Sequence, residues 1–163
     1  MSRAVLSLGS NLGDRFGFLK LALDAVRPSL VAVSGVYETE AWGVEDQPDF
    51  LNAVCVVDDP ARDHWAWLRT GQAAERAAGR VRELRWGPRT LDVDVVTVDG
   101  VTSDDPELLL PHPGTPDRAS VLVPWAEIEP AAVLLGHGPI AELLAARPAA
   151  EIATVRRTDF ALR

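Results

Sequence analysis

The 163-residue chain contains one cysteine, Cys55, and one lysine, Lys20, and each scarcity narrows what the protein can be. A lone cysteine excludes an internal disulfide, and its setting in the apolar run Asn52-Ala-Val-Cys-Val-Val is that of a buried thiol rather than a reactive one. Of the three histidines, His64, His112 and His137, none shares metal-ligand spacing with another or with the cysteine, which argues against a zinc site. Long hydrophobic runs are missing too: nothing approaches the roughly 20 consecutive apolar residues of a membrane span. The N-terminal stretch also reaches Gly9 before a secretory h-region could form. A cytoplasmic protein with no membrane partner is expected.

Cations are in deficit overall, with 16 Lys and Arg against 24 Asp and Glu and a formal net charge of −8. A long polyanion would meet an unfavourable field, so nucleic acid is not expected as a partner. The arginines are nevertheless unevenly placed, with Arg76, Arg80, Arg82, Arg85 and Arg89 crowding one segment. Such a cluster reads either as a solvated face or as a local anion site of the kind a nucleotide phosphate chain needs. Gly9-Ser-Asn-Leu-Gly lacks the Lys-Ser/Thr pair of a P-loop and the spacing of a dinucleotide fingerprint, and there is no Gly-x-Ser-x-Gly elbow.

At 47% hydrophobic residues the chain can bury one core but is too short for two ordinary domains, so a single domain over 1–163 is expected. Residues 4–8 read as a strand, followed by a turn and a helix whose Leu19, Ala22, Leu23 and Val26 recur at helical spacing. Two β-branched strands over 30–37 and 50–57 are separated by a polar loop, and a second helix is predicted over about 60–78, with Gly79 as its C-cap. Residues 90–98 form a further strand that turns at Asp99-Gly100. The order β-α-β-β-α-β predicts an α+β, ferredoxin-like split βαβ core, with an antiparallel sheet, both helices on one face and the other face available. C-terminal additions follow: a proline-rich excursion near Pro111, an apolar piece over 120–128 and a short helix near 140–144.

Asp92 and Asp94 are one residue apart in an apolar strand, so both carboxylates project from the same face. They are either two acids on a solvent face or ligands for Mg²⁺, which is held by one or two carboxylates plus substrate phosphates. Arg89, three residues upstream, could grip a phosphate beside them. Glu75 falls inside the apolar arc Trp67, Gly71, Ala74 and Ala78 of the second helix, with Gln72 at its edge. An acid there is either paired structurally or bound to a ligand. Phe50 and Asn52 also share a strand face, offering an aromatic plane beside an amide that both donates and accepts. His112 lies between two prolines, where a phosphate contact is plausible.

In order along the chain, Gly9-Ser-Asn-Leu-Gly-Asp-Arg, Asp46-Gln-Pro-Asp-Phe-Leu-Asn, Gly79-Arg-Val-Arg and Arg85-Trp-Gly-Pro-Arg-Thr-Leu-Asp-Val-Asp resemble the signatures of the 6-hydroxymethyl-7,8-dihydropterin pyrophosphokinase family. Pro111-His-Pro and Arg118, followed by Val121-Leu-Val-Pro-Trp, continue the resemblance to about Pro130. It implies an enzyme of folate biosynthesis that moves pyrophosphate from ATP to the pterin hydroxymethyl group and releases AMP. It implies that Asp92 and Asp94 hold two Mg²⁺ ions, and that Arg82, Arg89, His112 and Arg118, helped by Gln72 and Glu75, bind ATP. Arg80 would belong to a catalytic arginine loop with Arg89, Thr39, Phe50 and Asn52 would line the pterin pocket, and Trp86 would pack in the loop that closes over it. A monomer with small-molecule substrates is expected. The rival reading is a non-catalytic nucleotide-binding or regulatory module on the same scaffold. This sequence departs from the family pattern at Ser120, where an aromatic usually forms the second wall of the pterin pocket, and at Thr39-Glu-Ala, where the family has Thr-x-Pro.

Overall fold

The structure is a computed structural model and describes residues 2–40, 48–79 and 90–162. Strand β1 (Arg3–Ser10) leads into helix α1 (Arg15–Val26), which starts where the Asp14 carboxylate accepts the Gly17 N–H at 3.0 Å. A Cβ at Gly17 would sit 2.2 Å from that carboxylate, so glycine lets the cap approach this closely. The helix buries Leu19, Ala22, Leu23 and Val26, as their spacing predicts.

The strand predicted over 30–37 is two strands, β2 (Leu30–Val33) and β3 (Tyr37–Thr39). The break has a specific cause. The Ser34 hydroxyl accepts the Val54 N–H at 2.9 Å and donates to the Gly35 carbonyl at 2.7 Å, while the Gly35 N–H turns away to the Glu127 carboxylate. Side chains thus replace one rung of the ladder. Both strands pair antiparallel with β4 (Phe50–Asp58).

Helix α2 (His64–Ala77) starts four residues later than predicted, because Asp63 is the residue that caps it, accepting from Ala66 N at 2.8 Å. Asp59 instead closes a preceding turn by accepting from Ala61 N. Gly79, at φ +74°, ends the helix in the left-handed conformation. Strand β5 (Asp92–Val98) follows, then the hairpin β6 (Ser103–Asp105) and β7 (Leu108–Leu110). The apolar piece after Arg118 is helix α3 (Ala119–Ile128). The chain continues through strands β8 (Val133–Leu134) and β9 (Gly138–Pro139), helices α4 (Ile140–Ala145) and α5 (Ala149–Ala153), and strand β10 (Arg156–Arg157).

The main sheet runs β10-β3-β4-β1-β5, with β2 also on β4, and its pairings are antiparallel. This is the ferredoxin-like split βαβ arrangement. Leu6, Leu8, Leu51, Ala53 and Cys55 face α1 and α2 in the larger core, together with Leu23 and Trp67. Each of these leucines contributes about 1.5–3 kcal/mol on burial. The buried Trp67 keeps its indole N–H satisfied by Ser2 Oγ at 2.7 Å. The opposite sheet face is only partly available, contrary to expectation. Val54, Val56 and Val96 there are covered by Leu122 and Trp125 of α3, Leu134 and Ile140. What remains open is the part of that face flanked by Ser7, Gly9, Asn52, Asp92 and Asp94.

Candidate active site

The open part of the sheet face is ordered by register. Asn52 of β4 pairs with Gly9 of β1, which pairs with Asp92 of β5; one row further on, Val54 pairs with Ser7 and Ser7 with Asp94. Strands lie about 4.8 Å apart, so Asn52 and Asp92 stand roughly 10 Å from one another across Gly9. A Cβ at Gly9 would lie 3.1 Å from Asn52 Oδ1 and 3.6 Å from Phe50 Cδ1. Glycine at this position therefore forms the floor of a cleft that opens to solvent.

One half of the cleft holds Phe50, Asn52 and Thr39. Thr39 is buried opposite Phe50 in the register, and its Oγ1 accepts from Asn52 Nδ2 at 2.6 Å, which fixes the amide plane. The other half holds Asp92, Asp94 and Arg118. Arg118 immediately precedes α3, and its guanidinium lies so close to Gly114 that a Cβ there would be 3.0 Å from Nε. His112 stands beside this half without lining the cleft. Its backbone N–H donates to Val96 O at 2.8 Å and its Nδ1 accepts from Gly114 N. Burial lowers the His112 pKa and the Arg118 charge lowers it further, while Asp92 opposes both, so the imidazole is held neutral with Nε2 as its donor.

Glu75 reaches β5 from α2. It is 3% exposed, and its Oε2 accepts the Val93 N–H at 2.9 Å, fixing the backbone between the two aspartates. The close approach depends on Gly71, where a Cβ would sit 2.8 Å from Val93 Cγ1. Gln72 accepts from Arg69 Nη1 at 2.9 Å, and neither Gln72 nor Glu75 lines the cleft. Of the other sequence-derived candidates, Arg80, Arg82, Trp86 and Arg89 lie outside the described residues.

Of the remaining wall, sequence reasoning reached Ser120 and missed the rest. Asp117, Ala119 and Ser120 at the start of α3 meet Glu151, Thr154 and Val155 from the C-terminal segment. Glu151 accepts the Ala119 N–H at 2.9 Å and pairs with Arg147 at 2.8 Å, and the Arg147 bond holds its carboxyl below the usual glutamate range. For the residues missed, the signal that could have found them is the i,i+4 spacing of Arg147 and Glu151.

Among the described residues, no group of three or more His, Cys, Asp or Glu side chains is placed to hold a metal by itself. Two carboxylates on one strand face fit a hard cation whose remaining ligands are phosphate oxygens and water. The cleft therefore has the layout of a site that brings a metal-bound phosphate chain to a planar polar molecule.

The sequence profile of the 7,8-dihydro-6-hydroxymethylpterin-pyrophosphokinase family matches residues 5–130. The 2-amino-4-hydroxy-6-hydroxymethyldihydropteridine pyrophosphokinase of Mycobacterium tuberculosis is 45% identical, over 96% of this chain and 89% of that protein. The Bacillus subtilis protein of the same name is 38% identical over 77% of each. Among solved structures, the Plasmodium falciparum HPPK-DHPS triple mutant with STZ-DHP superposes with a TM-score of 0.68 at 18% identity, covering 88% of this chain. This chain spans 43% of the Plasmodium one, and that likeness is one of fold. The chain belongs to the 7,8-dihydro-6-hydroxymethylpterin-pyrophosphokinase family.

Proposed function

We propose that this protein transfers the terminal pyrophosphate of ATP to 6-hydroxymethyl-7,8-dihydropterin, a step of folate biosynthesis, acting as a monomer of one domain in the cytoplasm. The observation that carries the reading is the union, in one cleft, of Asp92, Asp94 and Arg118 with Thr39, Phe50 and Asn52. The pterin hydroxymethyl oxygen attacks the β-phosphorus in line and its proton passes to solvent, while the bond from that phosphorus to the α,β-bridging oxygen breaks and AMP departs carrying that oxygen.

Phe50 gives the pterin ring a face to lie on, and the Asn52 amide, oriented by Thr39, reads its donor and acceptor edge. The roughly 10 Å between Asn52 and Asp92 along their shared row separates ring recognition from phosphate handling by about the length of the acceptor molecule. Asp92 and Asp94 would hold two Mg²⁺ ions, whose charge would offset that building on the transferred phosphates. Arg118 supplies a fixed cation on the same side, and neutral His112 a hydrogen-bond donor that adds no charge. Glu75 contributes by fixing the strand that carries both aspartates, with Gln72 beside it on α2. Arg82 is assigned to the nucleotide phosphates, Arg80 and Arg89 to the transition-state charge, and Trp86 to closing the site, on the strength of the motifs that contain them. Catalysis is then positioning and charge neutralisation, with no covalent intermediate.

The test is AMP release from Mg·ATP with and without the pterin, alongside formation of the pterin pyrophosphate. Pterin-dependent AMP in equal amount to the product supports the reading. Tight ATP binding with no AMP would return the protein to the non-catalytic binding module.

A further inference from the structure

The segment after α4 lies beyond the residues that the family profile matches, yet it lines the cleft. It is fastened on both sides of Thr154 and Val155. Before them, Glu151, itself in the wall, is bound by the Ala119 N–H and by Arg147. After them, β10 joins the edge of the sheet, with Arg156 opposite Glu38 and Arg157 opposite Tyr37. Arg156 also bonds Asp49 at 2.9 Å, and Arg157 lies over the Tyr37 ring and pairs with Glu127. The attachment continues outward: Thr158 donates twice to Val36 O, Phe160 stacks on Phe16 at 4.6 Å between centroids, and Leu162 is buried.

Val155 sits immediately before β10 and four residues after Glu151, held by a turn in which its N–H donates to Ile152 O. It is therefore a fixed apolar surface rather than part of a loose tail. The start of α3 beside it carries only the small side chains of Ala119 and Ser120. Phe50, Val121 and Val155 are then the sizeable apolar side chains lining the cleft.

We propose that Val155, presented by this C-terminal strap, is a specificity-determining wall of the pterin pocket, occupying with Thr154 the space that the small residues at the start of α3 leave open. The proposal rests on the assignment of the Phe50 and Asn52 half to the pterin. A planar heterocycle needs an apolar contact on each face; Phe50 offers one, and the strap carries the other from outside the matched region.

The experiment is calorimetric titration of 6-hydroxymethyl-7,8-dihydropterin into the full-length protein in the presence of Mg²⁺ and α,β-methylene-ATP. Wild type, Val155→Ala, Val155→Ile and Asn52→Ala are compared, with KM and kcat measured alongside. Val155→Ala should raise the pterin Kd and KM about three- to tenfold while leaving nucleotide affinity and kcat within about twofold. Val155→Ile should restore affinity. Asn52→Ala should weaken pterin binding in either case. If Asn52→Ala weakens binding and Val155→Ala does not, the strap is a brace alone and the proposal is overturned while the site assignment stands. If neither variant changes pterin affinity, the assignment of that half of the cleft fails and the proposal falls with it.

Discussion

Asn52 of β4 and Asp92 of β5 stand in one row of the sheet with only Gly9 of β1 between them. The side chain that Gly9 lacks is what leaves the cleft floor open, since a Cβ there would crowd Asn52 Oδ1 at 3.1 Å. The half with Phe50 and Asn52 and the half with Asp92 and Asp94 are thus joined by the absence of an atom. Gly9→Val should keep the fold but raise the pterin Kd by about tenfold or more, because the valine occupies the floor and displaces the amide. Calorimetry together with a thermal melt separates this outcome from general destabilisation; unchanged affinity would place the pterin elsewhere.

Asp94→Ala should lower AMP formation by about 100-fold or more while leaving the melting temperature at or above that of the wild type. Asp94 lines an open cleft beside another acid and outside the hydrophobic layers, so its removal relieves like-charge repulsion and opens no cavity in the core. Near-normal turnover in a titration with Mg²⁺ would remove the metal assignment.

Glu75→Ala should cost about 1–3 kcal/mol in a urea melt, since it leaves the Val93 N–H inside the structure without its acceptor. It should also shift the Mg²⁺ requirement of the reaction upward, because Val93 lies between the two metal-binding candidates. Loss of stability with an unchanged Mg²⁺ profile would make Glu75 a packing residue only.

Glu151 couples the strap to pH. Its carboxyl titrates below the ordinary glutamate range, chiefly through the hydrogen bond from Arg147 and partly through the Ala119 N–H, with burial opposing. A depressed folded-state pKa gives stability that is fully present above the unfolded value and is lost as pH falls through the lowered one. Glu151→Gln should therefore lower the melting temperature relative to wild type at about pH 7, and the difference should shrink as pH falls below the ordinary glutamate range and through the lowered folded-state value. A constant difference across that window would show that the carboxylate charge does not contribute.

Ser120→Phe is expected from the sequence to tighten pterin binding, as an aromatic face is worth about 1–3 kcal/mol against a flat base. Ser120 and Val155 line the same cleft, and if they share the space over the ring the gain is larger in Val155→Ala than in the wild type. Equal gains in the two backgrounds, read by calorimetry, would mean that the two side chains do not share a space.

The sheet and its two helices were legible because period-two and period-3.6 patterns report which side of an element is buried. Those patterns put Asp92 with Asp94, and Phe50 with Asn52, on common faces. That the two pairs meet in one cleft depends on β1 lying between their strands and on Gly9 falling in the same row, which is a matter of register. The break at Ser34 and Gly35 was not legible, since its partners Val54 and Glu127 lie 20 and 92 positions from them. The start of α2 was misplaced because Asp58, Asp59 and Asp63 are all able caps, and only Asp63 reaches a helical N–H. Glu75 stood out as an acid in an apolar arc, but nothing local named its partner on β5. The C-terminal wall was invisible for the same reason: Glu151 acts on Ala119 and Arg156 on Asp49, across 32 and 107 positions.

The most direct measurement is a single-turnover reaction with ATP labelled in the β- and γ-phosphates, the Mg²⁺-loaded enzyme and one equivalent of 6-hydroxymethyl-7,8-dihydropterin. The account predicts that both labels arrive together in the pterin product, in equal amounts, and that all the adenine leaves as AMP. Release of ADP with a single label transferred, or labels that never reach the pterin, would contradict it.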